Sequence, residues 1–408
     1  MKTILTVLLL GMICWSCEIN KIEDPVFDYN KKSAEVIKTN NNFGLEMLKT
    51  IIQNEDEANI MISPASISLA LGMAYNGAES TTKEAFESLL NYEGLSREEV
   101  NEITRDLINT LITNVKDNTL EIANSIWYHQ DFPVYPSFIE LNKTYFDAEV
   151  KELDFSDPAT VDQINEWVKN KTHEKIEEII KELSPDARMV LINALYFNCL
   201  WEIEFDKDET KTEMFYTEDN SEYGNVEMMT TESSFNYFSN NDVTAVELPY
   251  KNKKFSMHLI LPQGGKTLDG LIDELDGDTW KSWIDSYEEY EKVQVTMPKF
   301  KFDYEREMGP DLVDMGLGVA FSPAEADFSD ISEIKLFISR VIHKTYIDVN
   351  EEGTEAAAVT AIVFETTSIG PGSGPIVVRF DHPFLFAITE KSSSSIVFIG
   401  KMMEPNYE

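Results

Sequence analysis

The stretch that decides the fold lies near the C-terminal end of the sequence, 351-EEGTEAAAVTAIVFETTSIGPGSGP-375. Side chains of a β-strand alternate between two faces, so the run from Thr354 to Thr366 divides into an even-numbered and an odd-numbered set. The even-numbered set carries no charge, and the odd-numbered set holds both glutamates, Glu355 and Glu365. This pattern predicts a strand with one buried and one wetter face, although the Gly and Pro residues that end the stretch indicate an exposed turn. The alternation alone leaves open whether the strand is always in place at a sheet edge.

Composition places the chain among soluble globular proteins and narrows its partners. Of the 408 residues, 43% are hydrophobic and 26% are charged, which is an ordinary globular balance. The formal net charge is −39, because 34 Lys and Arg stand against 73 Asp and Glu. Such an acidic surface repels nucleic acid and other polyanions. We therefore expect neither a nucleic-acid partner nor a heparin-like polyanion, and the acidity by itself indicates only solubility.

The N-terminal segment, MKTILTVLLLGMICWSC, is typical of a targeting signal. One Lys precedes an apolar run over 4–13, which is too short to span a bilayer and favours a secretory signal. The segment ends at Cys17 after the small Ser16, an arrangement that resembles a bacterial lipoprotein signal in which Cys17 is lipidated. Cys14 stands where such signals usually have Leu, and an ordinary cleaved signal peptide is the alternative.

This interpretation divides the chain into a signal peptide (1–16), the lipidated Cys17 with a polar tether (17–34), and one domain (35–408). We expect an exported protein that is anchored to the bacterial cell envelope at the outer membrane, or secreted if the lipid signal is not used. Cys199 is then the one cysteine left for the folded domain, so no disulfide framework is expected. Its apolar surroundings, LYFNCLW, predict a buried core thiol.

Hydrophobic periodicity predicts helices in the first half of the chain and strands in the second. The predicted helices are 34–54, one that begins at Ser63 and Pro64, 96–115 and 160–183. The predicted strands are 190–197, 243–249, 255–261, 293–302, 341–349, 376–380, 384–388 and 396–400. This order favours an α+β architecture, and no linker divides it into two units.

Motifs for catalysis or metal binding are missing from the sequence. A nucleophile elbow around Ser373 would need Gly where Pro371 stands. His173 and Glu174 are followed by Glu177, so they do not form the zinc motif H-E-x-x-H, and a solvated helix face is the simpler interpretation. The acidic clusters lack the calcium-loop spacing with its central Gly. We therefore expect no enzyme activity, no metal and no cofactor.

Several segments in order along the chain, together with the opening stretch, resemble the serpin family. The hinge-like EEGTEAAA at 351–358 resembles the start of the serpin reactive-centre loop. The other segments that carry the resemblance are 59-NIMISPASISLALGMAYNGAESTTKEAF-86, 123-ANSIW-127, 163-QINEWVKNKTHEKI-176, 190-VLINALYFNCLWEIEF-205, 295-VTMPKF-300, 341-VIHKTYIDVN-350, 379-RFDHPFLFAI-388 and 398-FIGKM-402. The resemblance covers about residue 35 to the C-terminus.

The resemblance implies a serpin fold with a large, mostly antiparallel central sheet, two smaller sheets, about eight or nine helices and an exposed reactive-centre loop (about 351–375). It also implies a suicide inhibitor of serine peptidases, and cysteine peptidases remain possible targets. The peptidase cuts the loop and forms a covalent acyl complex. The cut loop then inserts into the central sheet as a new strand. We expect a monomer in a metastable state.

The family pattern assigns roles to residues of the loop. The hinge comprises Glu351, Gly353, Thr354, Glu355, Ala356, Ala357 and Ala358. In inhibitory serpins the cut bond lies about 14 residues after the hinge glycine, which implies Thr367–Ser368. The loop is a few residues longer than usual, so Thr366–Thr367 is the next candidate. A Thr before the cut suits elastase-like or subtilisin-like peptidases, and 349–378 contains no Lys or Arg for a trypsin-like one.

Two further groups of residues match the family pattern near the central sheet. Ser63, Ser66, Asn193 and His343 match the shutter, the polar cluster beneath the strands that must part. Trp201, Lys299 and Glu351 match the breach, where the loop first enters, and Lys299 and Glu351 are expected to form an ion pair. An interpretation without function for His343 is a satisfied core histidine.

Two other functions stay open. A non-inhibitory surface serpin, acting as a binding protein or as a substrate, would share the fold, but such relatives often depart from the small-residue hinge. An exported hydrolase is the second, and the absence of hydrolase motifs from the sequence argues against it. Loop cleavage that raises heat stability would indicate insertion and so favour an inhibitor.

Overall fold

The computed structural model describes residues 31–115, 118–184, 187–355 and 374–407. Nine α-helices lie within these ranges. They are α1 (Lys31–Asn54), α2 (Pro64–Tyr75), α3 (Ser80–Leu89), α4 (Arg97–Leu111), α5 (Pro136–Phe146), α6 (Ala159–Lys171), α7 (Leu268–Glu274), α8 (Gly277–Asp285) and α9 (Gly309–Leu312). Short 3-10 or π turns lie at Lys207–Glu209, Lys251–Lys253, Val313–Leu317 and Gly318–Phe321.

The same ranges contain sixteen strands. They are β1 (Ile60–Ile62), β2 (Thr113–Val115), β3 (Asn118–His129), β4 (Glu149–Leu153), β5 (Met189–Leu200), β6 (Lys211–Tyr216), β7 (Glu222–Ser239), β8 (Val243–Pro249), β9 (Phe255–Pro262), β10 (Glu288–Pro298), β11 (Phe300–Glu307), β12 (Ile342–Val349), β13 (Gly353–Thr354), β14 (Ile376–Arg379), β15 (Phe384–Glu390) and β16 (Ile396–Met402).

Local signals in the sequence account for the starts of two helices. Ser63 caps α2 by accepting a hydrogen bond from the Ser66 N–H, and Pro64 occupies the first turn, where its missing N–H is not needed. Ser96 and Glu99 form a reciprocal capping box that begins α4. These caps place both helices where the periodicity predicts them.

The predicted helix over 160–183 is wrong in its second half. α6 ends at Lys171, and His173 and Glu174 adopt left-handed backbone with φ of 49° and 68°. Two consecutive left-handed residues do not continue a right-handed helix. Residues 172–184, called the strap below, instead run across the seven-stranded sheet with Ile176, Ile179 and Ile180 buried.

The strands form two hydrogen-bonded sheets. The seven-stranded sheet has the order β11-β12-β13-β5-β3-β2, with β4 pairing β3 in parallel. The nine-stranded sheet has the order β1-β16-β15-β9-β8-β7-β10-β14, with β6 pairing β7. The predicted strand over 293–302 is two strands, because β10 and β11 belong to different sheets. The α+β fold class is confirmed, and the seven-stranded sheet corresponds to the predicted central sheet.

The two smaller sheets that the resemblance implied are here one continuous sheet. The 18-residue strand β7 pairs with β6 and β10 along its length and with β8 near its end. It therefore joins the strands of the two expected sheets. The sequence pattern predicted neither β7, whose alternation is hidden by polar residues on both faces, nor β3.

The hydrophobic core fills the space between the two sheets, and α2 packs there against both β5 and β16. A second, smaller cluster lies on the opposite face of the seven-stranded sheet, where α6 and the strap cover Trp127, Ile192 and Ala194. The central strands are therefore covered on both faces. A strand added between them would have apolar neighbours on both sides.

Candidate functional site

The first residues of the hinge already lie inside the seven-stranded sheet. Gly353 pairs with Leu200 of β5, and Thr354 pairs with Cys199 of β5 and with Val349 of β12. A Cβ atom on Gly353 would lie 2.2 Å from the Cys199 carbonyl oxygen, so a side chain at this position would force the strands apart. The hinge thus forms a two-residue strand, β13, between two central strands.

Thr354 points toward the core between the sheets. Its hydroxyl forms a hydrogen bond with the Tyr250 hydroxyl, and the side chain is 3% exposed. Tyr250 stacks on Trp201 with ring centroids 4.4 Å apart and planes 13° from parallel. The Trp201 indole N–H donates to the Asn350 carbonyl oxygen at 2.9 Å. Trp201 therefore holds in place both the chain before the hinge and the Tyr250 side chain whose hydroxyl bonds Thr354.

Glu355 ends strand β13 by turning away from it. Its backbone is left-handed, with φ of 57°, and its N–H donates to the Asp348 carbonyl oxygen at 2.5 Å. The carboxylate lies on the face opposite Thr354, under the strap, and 3.2 Å from the Lys175 ammonium. Although Glu355 belongs to the predicted wetter face, it is only 8% exposed. Burial raises the pKa of this carboxyl to about 7, against the opposing effect of Lys175.

The remaining breach residues surround the chain just before the hinge. Lys299 and Glu351 form an ion pair at 3.4 Å, and both are largely buried. Glu351 also accepts a hydrogen bond from the Thr210 hydroxyl at 2.8 Å, and Lys299 lies 3.3 Å from Glu227. Since these bonds fix the carboxylate at several points, the start of the hinge is held in one position.

The four shutter residues come together at the N-terminal end of α2. The Ser63 N–H donates to His343 Nε2 of β12 at 3.1 Å, and the Ser63 hydroxyl donates to the Val397 carbonyl oxygen at 2.7 Å. The Ser66 hydroxyl donates to the Asn193 side-chain oxygen of β5. The same helix end is therefore bonded to both strands that flank the hinge.

Two residues that the sequence analysis missed extend this cluster. Asn193 donates to the Asn124 side-chain oxygen at 2.7 Å, and Asn124 donates to the Phe146 carbonyl oxygen at 2.7 Å. Thr345 of β12 donates to the Met61 carbonyl oxygen at 2.8 Å. Single polar residues in strands carry no signal that distinguishes them from solvent-facing ones, so only their burial identifies them.

His343 is neutral in this arrangement. It is 6% exposed, and burial lowers its pKa to about 4. Its Nε2 accepts the Ser63 N–H, so protonation of that nitrogen would remove the hydrogen bond. The bond between β12 and α2 therefore depends on a neutral ring.

Cys199 is a buried free thiol, as its apolar surroundings predicted. Burial raises the pKa of this thiol, so it stays protonated. Among the described residues, no group of His, Cys, Asp and Glu could hold a metal ion, and no helix is both long and apolar enough to cross a bilayer. The other predicted site residues lie outside the described residues: Cys17, Ala356, Ala357, Ala358, Thr366, Thr367 and Ser368.

Comparison with known proteins identifies the family. The family model described as Serpin (serine protease inhibitor) matches residues 38–405. The chain belongs to the serpin family. An uncharacterized serpin-like protein of Methanosarcina acetivorans is 37% identical over 94% of this chain and 90% of its own length. Iripin-2 of Ixodes ricinus is 33% identical over 98% of both chains.

Solved serpin structures agree in fold. Tengpin, a thermophilic serpin, in its native state superposes with a TM-score of 0.83 at 32% identity, covering 93% of this chain and 96% of tengpin. Tengpin in its latent state gives a TM-score of 0.79 at 30% identity, covering 93% and 100%. Serpins are in general peptidase inhibitors rather than enzymes, and they bind their target peptidases.

Proposed function

We propose that this serpin is an irreversible suicide inhibitor of serine peptidases with elastase-like or subtilisin-like specificity. The peptidase serine attacks the carbonyl carbon of the reactive bond. An ester to the peptidase forms, and a new amino terminus leaves. The cut loop then inserts between β5 and β12 and carries the peptidase with it before water can hydrolyse the ester. Cysteine peptidases are a second target class, since a thioester would be trapped in the same way.

The observation that supports this proposal most is the position of Gly353 and Thr354 between β5 and β12. Both flanking strands pair with them, so the next residues would extend an existing strand rather than begin a new one. Extension adds backbone hydrogen bonds on two sides. Residues 356–358 are alanines, which present no charge and little bulk to the core.

Counting from the hinge glycine supports Thr367–Ser368 as the reactive bond, with Thr366–Thr367 as the next candidate. A Thr side chain fits a small primary pocket, and the absence of Lys and Arg from 349–378 argues against trypsin-like targets. The same proposal includes export and a lipid on Cys17. A lipid anchor would hold the inhibitor at a membrane surface without a spanning segment.

The test mixes a chain that begins after Cys17 with an elastase-like serine peptidase and separates the products on a denaturing gel. We expect a covalent band at the summed mass, and mass spectrometry should place the cut at Thr367–Ser368. A peptidase whose catalytic serine is already blocked is the control, because it can bind but cannot form the ester. Complete cleavage without a covalent band, across peptidases of several specificities, would contradict the proposal.

A further inference from the structure

Glu355 is buried, although strand pairing at Gly353 and Thr354 does not require its burial. Strand β13 ends there because the backbone turns left-handed, and the carboxylate is enclosed between the sheet and the strap. A carboxylate loses its hydration when it is buried, and one ion pair rarely restores all of it. The docked hinge is therefore a compromise between strand pairing at Gly353 and Thr354 and the burial of a charge at Glu355.

The groups that face Glu355 come from three elements. Lys175 of the strap lies 3.2 Å away, with its ammonium also 5.1 Å from the centre of the Tyr346 ring of β12. The Tyr196 hydroxyl of β5 favours the ionised carboxylate, and the Asp348 carboxylate of β12 disfavours it. Among these groups, Lys175 is the cation.

A second ionisable pair lies close to this group. His173 packs against Tyr196 with ring centroids 4.1 Å apart, and its Nε2 lies 3.1 Å from the Glu121 carboxylate of β3. The strap is therefore fixed to the sheet at His173 and to the hinge at Lys175. A test of Glu355 must therefore separate its effect from that of the His173–Glu121 pair.

We propose that the hinge has a docked and a released position, that ionisation of Glu355 favours release, and that Lys175 opposes release by pairing with the ionised carboxylate. The two positions of the hinge do not depend on the proposed function; only their effect on inhibition rests on it. A released hinge gives the reactive loop two more free residues, so the peptidase reaches the loop faster. A docked hinge restrains the loop.

The direction with pH follows from the burial of Glu355. Its pKa is about 7 in the docked hinge against 4.5 for an unperturbed Glu, so the docked state binds more protons between these values. Docking is therefore favoured at low pH and is weakened as pH rises toward and through 7. Such a shift changes the docking equilibrium about tenfold between pH 6 and pH 8.

Hydrogen exchange measured by mass spectrometry on the peptide that contains Gly353 and Thr354 tests docking without any peptidase. After correction for intrinsic exchange, we expect the wild-type protein to lose about tenfold in protection from pH 6 to pH 8. Glu355→Gln should stay protected at both values, because it cannot ionise. An equal loss in Glu355→Gln, or no loss in the wild type, would overturn the proposal.

Two lysine variants separate the ion pair from a general effect of charge. Lys175→Met keeps the alkyl stem and leaves the carboxylate without its cation, so protection at pH 8 should fall below that of the wild type. Lys181→Met is the matched control, because Lys181 lies on the same strap and pairs with the exposed Glu305 at 3.4 Å. It should behave as the wild type, and equal loss in both variants would contradict the assignment of Lys175.

The consequence for inhibition is measured separately. The ratio of complex-formation rates, wild type over Glu355→Gln, cancels the pH dependence of the peptidase and the contribution of His173. We expect this ratio to rise from pH 6 to pH 8. If no covalent complex forms with any peptidase, the proposed function fails while the exchange result still decides the hinge; a flat ratio beside a pH-dependent hinge would refute only the link to inhibition.

Discussion

The space between β5 and β12 is held in different ways at two places. These are called the upper part, at Gly353 and Thr354, and the middle part, at Asn193 and His343. At the upper end, Gly353 and Thr354 pair with both strands through their backbones. In the middle, His343 of β12 and Asn193 of β5 are each bonded to the N-terminal end of α2 through side chains. The upper part shows a strand position already occupied. The middle part shows the hydrogen bonds that further insertion, under the proposed mechanism, would have to exchange.

Under the proposed mechanism, this difference gives two groups of residues different roles in insertion. Small and neutral side chains at the hinge would determine whether a loop residue can be accommodated between the strands. Side-chain bonds to α2 would determine how readily the strands move apart below it. Variants in the first group should therefore change the fate of the cut loop, and variants in the second should change stability.

The largest expected effect is that of Thr354→Arg at the upper end. Thr354 borders a cavity of about 10 Å³, which holds about one water molecule and no guanidinium. Burying an unpaired charge there costs several kcal/mol, so the cut loop should fail to insert. We expect the denaturing gel to show cleaved chain and at least a hundredfold less covalent complex.

Thr354→Ser is the matched control for this variant. It keeps the hydroxyl that bonds Tyr250 and should keep a normal yield of complex. A normal yield from Thr354→Arg would mean that this side chain does not enter the core, and the assignment of the even-numbered positions to the buried face would be wrong.

Thr367→Arg tests whether the loop is counted correctly from Gly353. An Arg before the reactive bond suits the primary pocket of trypsin-like peptidases, so this variant should gain covalent complex with trypsin that the wild type lacks. We expect a gain of at least tenfold in the rate of complex formation. Thr366→Arg is the control; if it gains more than Thr367→Arg, the reactive bond is Thr366–Thr367.

The stability that the middle part contributes to the fold depends on pH through His343. Its pKa is about 4 in the fold and 6.5 when unperturbed, so the unfolded chain binds more protons between these values. The stability that a neutral His343 allows is present above pH 6.5 and is lost as pH falls toward 4. The free energy of unfolding should fall by about 3 kcal/mol, because one pKa unit corresponds to about 1.4 kcal/mol.

Urea unfolding at several pH values checks this dependence. His343→Gln cannot titrate, so its stability should fall less than that of the wild type between pH 6.5 and pH 4. His258 is also buried with its pKa lowered to about 4, and it contributes equally to both proteins. Parallel curves for the two proteins would remove His343 from the explanation.

A smaller effect is expected from Asn193→Ala. The change leaves the Ser66 hydroxyl and the Asn124 side-chain oxygen without their partner, and an unsatisfied buried polar group costs about 1–3 kcal/mol. The free energy of unfolding in urea should fall by about 2 kcal/mol. Asn198→Ala on the same strand is the control, because the Asn198 amide bonds the nearby Tyr196 hydroxyl at 3.1 Å. It should lose clearly less, and equal losses would contradict the role of the α2 bonds.

The upper part could be predicted from the sequence more fully than the middle. The hinge is one contiguous motif, and its alternation and its resemblance to serpins assign Gly353 and Thr354 to the start of the strand that inserts. The sequence did not predict the burial of Glu355, because its partner Lys175 is 180 residues away. It also did not predict the strap, because a helical pattern continued past the left-handed residues His173 and Glu174.

The middle part depends on pairs that are far apart in the chain. Ser63 and His343 are 280 residues apart, and Ser66 and Asn193 are 127 apart. The resemblance to the family named these four residues, whereas periodicity did not. Asn124 and Thr345 complete the same network without a motif, and β3 was missed as a strand altogether. Long-range hydrogen bonds of this kind follow from the fold and not from local patterns.

Heat stability before and after a single cut in the reactive loop tests the central claim most directly. The loop is cut by a peptidase that does not form a covalent complex, and thermal unfolding is followed for both forms. If the loop continues the strand that Gly353 and Thr354 begin, the cut form should gain several kcal/mol and melt at least about 10 °C higher. An unchanged or lower melting temperature would contradict insertion and would favour a serpin that binds or is cleaved without inhibiting.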